Sequence, residues 1–237
     1  MAIYVIGDLH LSFQENKPMS IFGENWEKHE EKIKQDWIEK VKEQDIVVLP
    51  GDFSWSMHLK DTIKDFEYLR NLPGKKILLK GNHDYWWTTV TNMKNFLEEN
   101  RFSNIEFLYN NAYEFENRIL VGTRGWMQTE EDDDIRLMKR EELRLELSIQ
   151  DGIQKYGDKE KIAFLHYPPV ITTREGKKQE TPLFEILQKY EIKKCYYGHL
   201  HAHAIYDAVQ GKYKGIDLKL VSADALDFKL YRIDKNI

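Results

Sequence analysis

Five short runs place carboxylate, amide and imidazole side chains directly after apolar stretches: Asp8-Leu9-His10, Gly51-Asp52, Gly81-Asn82-His83-Asp84, His166 and Gly198-His199-Leu200-His201. The preceding stretches, Ile3–Ile6, Ile46–Leu49, Ile77–Leu79, Ile162–Leu165 and Cys195–Tyr197, are rich in β-branched and aromatic residues and read as strands. Open α/β sheets build their sites in the crevice beyond the carboxyl ends of their strands. Imidazole, carboxylate and amide oxygen in this mixture suit divalent metals. Two such metals close together can hold a hydroxide and two phosphate oxygens for in-line displacement. Asp52 suits a bridging role, because a carboxylate has two oxygens and the glycine before it permits a tight turn. Asp8 and His10, two residues apart at a strand end, point to one side and can grip one metal. His199 and His201 share that spacing and could each reach a different metal. Asn82 offers a neutral carbonyl oxygen and His166 a further imidazole.

The elements that must position these groups alternate between strand-like and helix-like segments, as in an α/β layered fold. Residues 11–25 read as an irregular loop. Helices are expected over about 26–41, 59–72 (stopped by Pro73-Gly74), 88–100, 132–156 and 182–190. Short strands are expected at 105–108, 112–115 and 118–121. The stretch from Cys195 to Ile233 reads largely as strand, with turns near Gln210-Gly211 and Lys214-Gly215. With no repeat, low-complexity tract or linker, residues 1–237 are expected to form a single domain.

Composition narrows the function classes. A net charge of −5 and the lack of a basic stripe argue against long nucleic acids as partners. No apolar run approaches the roughly 20 residues needed to span a bilayer, so no membrane partner is expected. The N-terminal Met1-Ala2-Ile3-Tyr4-Val5 enters a strand at once and does not read as a signal peptide. Cys195 is the one cysteine, which excludes an intramolecular disulfide and a cysteine-built zinc site. A reducing, cytoplasmic location is expected.

In order and spacing, Asp-x-His, Gly-Asp, Gly-Asn-His-Asp, His and Gly-His-x-His resemble the motifs of the calcineurin-like metallophosphoesterase superfamily, over residues 8 to 201. The resemblance implies a four-layer α-β-β-α sandwich, two mixed sheets flanked by helices. It implies a dimetal phosphoester hydrolase in which a metal-bridging hydroxide attacks phosphorus in line. Asp8, His10, Asp52 and His201 would hold one metal; Asp52, Asn82, His166 and His199 would hold the other. His83 would stabilise the phosphoryl group or protonate the leaving oxygen, with Asp84 orienting it. Two divalent ions are implied, with manganese, iron and zinc all acceptable to such ligands. After Gly51-Asp52, where the superfamily often places an acid, this chain has Phe53-Ser54-Trp55-Ser56, which leaves the subfamily open.

A phosphorylated small molecule or other phosphoester is the expected substrate, and loop residues are expected to choose it. Arg124 and Arg174 are candidates to clamp a phosphate oxygen through their forked donors. Trp55 and Trp86, which follow ligand runs, are candidates to stack on a substrate ring. The ordinary alternatives are solvated arginines and core tryptophans. His29 and His58 read as surface residues, and Glu130–Asp134 as the acidic first turn of the long helix. Four readings share these motifs: phosphatase, phosphodiesterase or nuclease, nucleotide or lipid pyrophosphatase, and an inactive scaffold. Oligomeric state leaves no trace in the sequence.

Overall fold

The computed structural model describes residues 1–15 and 17–233. The chain divides into two compact units. One holds Met1–Phe107 and the chain from Val221 on; the other holds Leu108–Leu220.

The first unit is built on β1 (Ile3–Val5), α1 (His29–Lys40), β2 (Ile46–Leu49), α2 (Ile63–Arg70), β3 (Lys75–Leu78), α3 (Val90–Glu99) and β4 (Ile105–Phe107). The four strands lie parallel in chain order, with Ile3 opposite Ile46, Val48 opposite Ile77 and Leu78 opposite Phe107. A closing strand, Tyr231–Arg232, runs antiparallel beside β1. Every residue of β1 and β2 is buried, which is why they read as unbroken apolar runs: a parallel strand covered on both faces has no solvent side. Within the expected loop 11–25, of which residue 16 lies outside the described residues, Met19–Phe22 and Glu24–Trp26 form short 3-10 turns. Helix α1 therefore starts three residues later than Trp26, and α2 is preceded by the 3-10 turn Leu59–Thr62.

The second unit holds β5 (Tyr113–Phe115), β6 (Arg118–Thr123), α4 (Asp132–Tyr156), β7 (Glu160–Leu165), β8 (Val170–Thr172), β9 (Lys178–Glu180), α5 (Pro182–Lys189), β10 (Lys194–Tyr197), β11 (Gly211–Tyr213) and β12 (Ile216–Leu220). Strands β6, β7, β10 and β12 are parallel neighbours, and the edge strands β5 and β11 run antiparallel. Helix α4 spans the residues expected of it and buries Met138, Leu145 and Ile149. It lies close on β6 at Gly152, where a Cβ would come within 2.5 Å of an Ile119 methyl.

The α/β class and the two mixed sheets with helices match the expectation. Two local differences stand out. The stretch after His166, where no strand is expected, contains the β8–β9 hairpin. The stretch after β10 is less strand-rich than expected, since Ala202–Asp207 forms 3-10 turns. The turn at Lys214-Gly215 is found as expected, with φ of 43° and 88°, the positive pair that a tight hairpin between β11 and β12 requires. No helix among the described residues is long and apolar enough to cross a membrane.

Candidate functional site

In the first unit the backbone ladder continues past the strand ends. Gly7 N–H donates to Val221 O at 2.7 Å, Asp8 N–H to Gly51 O at 2.9 Å and His10 N–H to Asp52 O at 2.9 Å. The runs after β1 and β2 thus travel side by side, which brings their side chains together. Asp8, His10 and Asp52 adopt φ of 57°, 47° and 50°. Left-handed backbone at non-glycine residues costs of order 1–3 kcal/mol each and persists where the surroundings over-determine it.

The result is a buried polar cluster. A carboxylate oxygen of Asp8 lies within 4.8 Å of one on Asp52 and of a His10 ring nitrogen. His10 Nε2 is 3.8 Å from Asp52 Oδ2. Exposure is 0% for Asp8, 3% for His10 and 1% for Asp52. Two carboxylates so close and so dry form a donor set that suits a divalent cation.

The turn after β3 completes this cluster. Gly81 approaches Asp52 so closely that a Cβ would lie 2.0 Å from Asp52 Oδ1, so glycine is required there. Asp52 Oδ1 accepts the His83 N–H at 2.8 Å. Asn82 and His83 are half-buried on that turn.

Asp84 differs from expectation. Its oxygens accept five N–H groups: Asp52 and Gly81 on Oδ2, and Phe53, Ser54 and the Trp86 indole on Oδ1. None of these donors belongs to the His83 ring. Asp84 ties the Gly-Asp run to the Gly-Asn-His-Asp turn, and so positions Asp52 rather than orienting the imidazole. Burial raises its carboxyl from the ordinary value, and the donors offset part of that rise.

The two tryptophans separate. Trp55 is half-buried, stacks on the His10 ring (centroids 4.8 Å apart, 23° between planes) and lies 4.7 Å from the His83 ring. Trp86 is 1% exposed, and packs against Phe53, Phe66 and Phe107. A stacking surface for substrate is therefore not available on Trp86; its indole is a core group whose N–H serves Asp84. His29, expected at the surface, is instead buried, its Nε2 3.0 Å from Leu9 O and its Nδ1 3.2 Å from Trp26 O. It braces the peptide between Asp8 and His10, and burial lowers its pKa. Nothing in local spacing announces a contact across 20 residues. His58 is exposed, as expected.

In the second unit, His166 follows β7, and its N–H and that of Tyr167 both donate to Arg124 O, at 3.1 and 2.9 Å. Gly198 N–H returns to His166 O at 3.1 Å, which sets the run after β10 beside it. The His166 and His199 rings meet edge-on, 5.1 Å apart. Tyr167, which the sequence reading passed over although it adjoins His166, lies on His199 with centroids 4.1 Å apart. His199 has a φ of 75°, so the chain leaves extended geometry there; His201 follows, half-buried, at the start of the 3-10 turns. Arg124 is half-buried, its guanidinium 4.3 Å from the Trp126 ring centroid. Arg174 is exposed on the turn that joins β8 and β9, and makes no ion pair or hydrogen bond among the described residues. Buried Cys195 has its thiol pushed up by burial and behaves as a small apolar group.

Comparison with known proteins shows the fold and the family. No curated protein matches the chain. Among solved structures, a phosphopantetheinyl hydrolase from Mycobacterium tuberculosis aligns over 99% of this chain and 96% of its own, at 12% identity and a TM-score of 0.57. TT1561 of Thermus thermophilus aligns over 97% and 96%, at 10% identity and a TM-score of 0.57. GAP50, described as the anchor in the inner membrane complex of Plasmodium, aligns over 94% and 71%, at 12% identity and a TM-score of 0.54. At these identities the likeness is one of fold. The sequence profile of the calcineurin-like phosphoesterases matches residues 1–203. The chain belongs to the calcineurin-like phosphoesterase family.

Proposed function

We propose that the chain is a metal-dependent phosphoester hydrolase, active in the cytoplasm, that works as a single domain. The observation that carries this reading is the buried Asp8–His10–Asp52 cluster: Asp8 has donor atoms within 4.8 Å of His10 and of Asp52, and all three are held on strained backbone. Its donors fit divalent cations, with manganese, iron and zinc the candidates. Asp8, His10, Asp52 and His201 would hold one ion; Asp52, Asn82, His166 and His199 would hold the other. Bound there, the ions supply charge neutralisation at the phosphoryl group and acidify water.

The chain's own residues do the rest. Asp52 is held by its amide on Asp84 and by its Oδ1 on His83 N–H, so its carboxylate has one orientation. The His83 ring, half-exposed beside Trp55 and His10, protonates the leaving oxygen. Trp55 keeps both imidazoles from turning.

The test is hydrolysis of a nitrophenyl phosphate monoester and bis-ester by metal-stripped protein, with and without added manganese, beside His83→Ala. Turnover that requires metal and falls about 10²–10⁴-fold in the variant supports the reading. Manganese-loaded protein that hydrolyses neither ester, or that does so equally well without His83, contradicts it.

A further inference from the structure

Arg124 stands where β6 ends, beside His166 and Tyr167 at the end of β7, whose N–H groups share its carbonyl. Its guanidinium is placed by stacking on Trp126, and the Trp126 indole is itself fixed by a 2.7 Å hydrogen bond to Asp134 Oδ1. The Arg124 Nε–H is buried and has no acceptor among the described residues. An arginine present only for stability would have its fork filled by the nearest carboxylate. The carboxylate acting on Arg124 is Glu141, and its oxygens are engaged elsewhere. Arg144 Nη1 reaches Glu141 Oε1 at 2.6 Å, Arg140 Nε reaches it at 3.3 Å, and Thr123 Oγ1 holds Oε2 at 2.6 Å.

Three guanidinium groups therefore act around one fully buried carboxylate, so positive charge exceeds negative within this group of residues. Arg144 has its remaining donors turned to Tyr109 OH at 2.6 Å, whereas Arg124 and half-exposed Arg140 keep donors unspent. A phosphodiester carries one negative charge and offers two free oxygens to these donors. A terminal phosphoryl group carries close to two above its second ionisation and presents three acceptor oxygens to forked donors.

We infer that Arg124, with Arg140 and Arg144 supplying the surrounding charge, is a subsite for a dianionic terminal phosphoryl group. The substrate class is then a phosphate monoester or a terminal phosphoanhydride, not an internal diester. The fate of the bound group rests on the hydrolase reading; its binding does not.

The test titrates inorganic phosphate and dimethyl phosphate calorimetrically into the whole chain at a pH of about 8, above the second phosphate ionisation. It is run with manganese and again with chelator, on the natural sequence, Arg124→Met, Arg124→Lys and Arg140→Gln. Circular dichroism checks each variant's fold, and half-exposed Arg140 is the variant least able to disturb it. Phosphate is expected to bind at least about tenfold tighter than dimethyl phosphate. With chelator present, that preference is lost in Arg124→Met, partly kept in Arg124→Lys and reduced in Arg140→Gln; with manganese, whose ions would themselves hold phosphate, the same changes are smaller. Equal binding of the two anions, or a preference unchanged in Arg124→Met and Arg140→Gln, overturns the subsite. Ester hydrolysis in the same preparations separates the two claims. An intact phosphate preference with no turnover sinks the hydrolase reading alone. Turnover whose monoester and diester rates fall equally in Arg124→Met sinks the subsite alone.

Discussion

Asp84 and Asp52 hold each other's neighbourhood in place: Asp84 Oδ2 accepts the Asp52 N–H at 2.9 Å, while Asp52 Oδ1 accepts the N–H of His83, the residue before Asp84. Each carboxylate thus fixes the other's turn. Removing the Asp84 side chain strands five buried N–H groups, each costing about 1–3 kcal/mol when unmet, although such costs do not simply add. Asp84→Ala is expected to lower stability by at least about 3 kcal/mol in urea denaturation, and Asp84→Asn, which keeps one acceptor oxygen, by less. A stability change in Asp84→Ala as small as that of an exposed substitution would mean that the carboxylate does not organise these turns.

Trp55 lies against both His10 and His83, so its main effect is expected on metal affinity and kcat rather than on KM. Supporting residues around metal ligands typically contribute 10- to 100-fold. Trp55→Ala should weaken manganese binding by roughly that factor, and Trp55→Phe should restore most of it. An elevated KM with unchanged manganese affinity would instead assign the ring to substrate stacking.

Lys76 tests the interior of the first sheet. It is fully buried on β3, its ammonium donating to Leu72 O, and burial pushes its pKa down to about 8 from 10.5. Below about pH 8 both folded and unfolded chains carry the proton and the full cost of the buried charge is felt. Between about pH 8 and 10.5 the folded amine is neutral while the unfolded one stays charged, so stability rises with pH, by about 3 kcal/mol in all. Lys76→Met should remove this slope and gain stability at neutral pH. Parallel stability–pH curves for the two proteins would contradict the assignment.

The parts of this molecule legible in its sequence are those encoded by local pattern. β2 reads as Ile46–Leu49 in the sequence and forms over those residues, because four apolar side chains in a row need cover on both faces. Helix α4 shows its length through apolar residues at helical spacing. What stayed hidden depends on which way a side chain turns or which distant group it meets. Trp55 and Trp86 follow their ligand runs alike, yet one stacks on His10 and the other is sealed among Phe53, Phe66 and Phe107. Asp84 next to His83 suggests a pair, whereas the turn folds the carboxylate back onto backbone N–H groups. His29 meets Leu9 O only because the loop between them closes.

The most direct measurement is a calorimetric titration of manganese into metal-stripped protein, with hydrolysis of a nitrophenyl phosphate monoester followed in the same samples. Two bound ions per chain are expected, with turnover that appears as they bind and loss of both in Asp52→Asn, since Asp52 is assigned to both ions. Binding and turnover untouched in Asp52→Asn, or turnover in protein that binds no metal, would contradict this assignment.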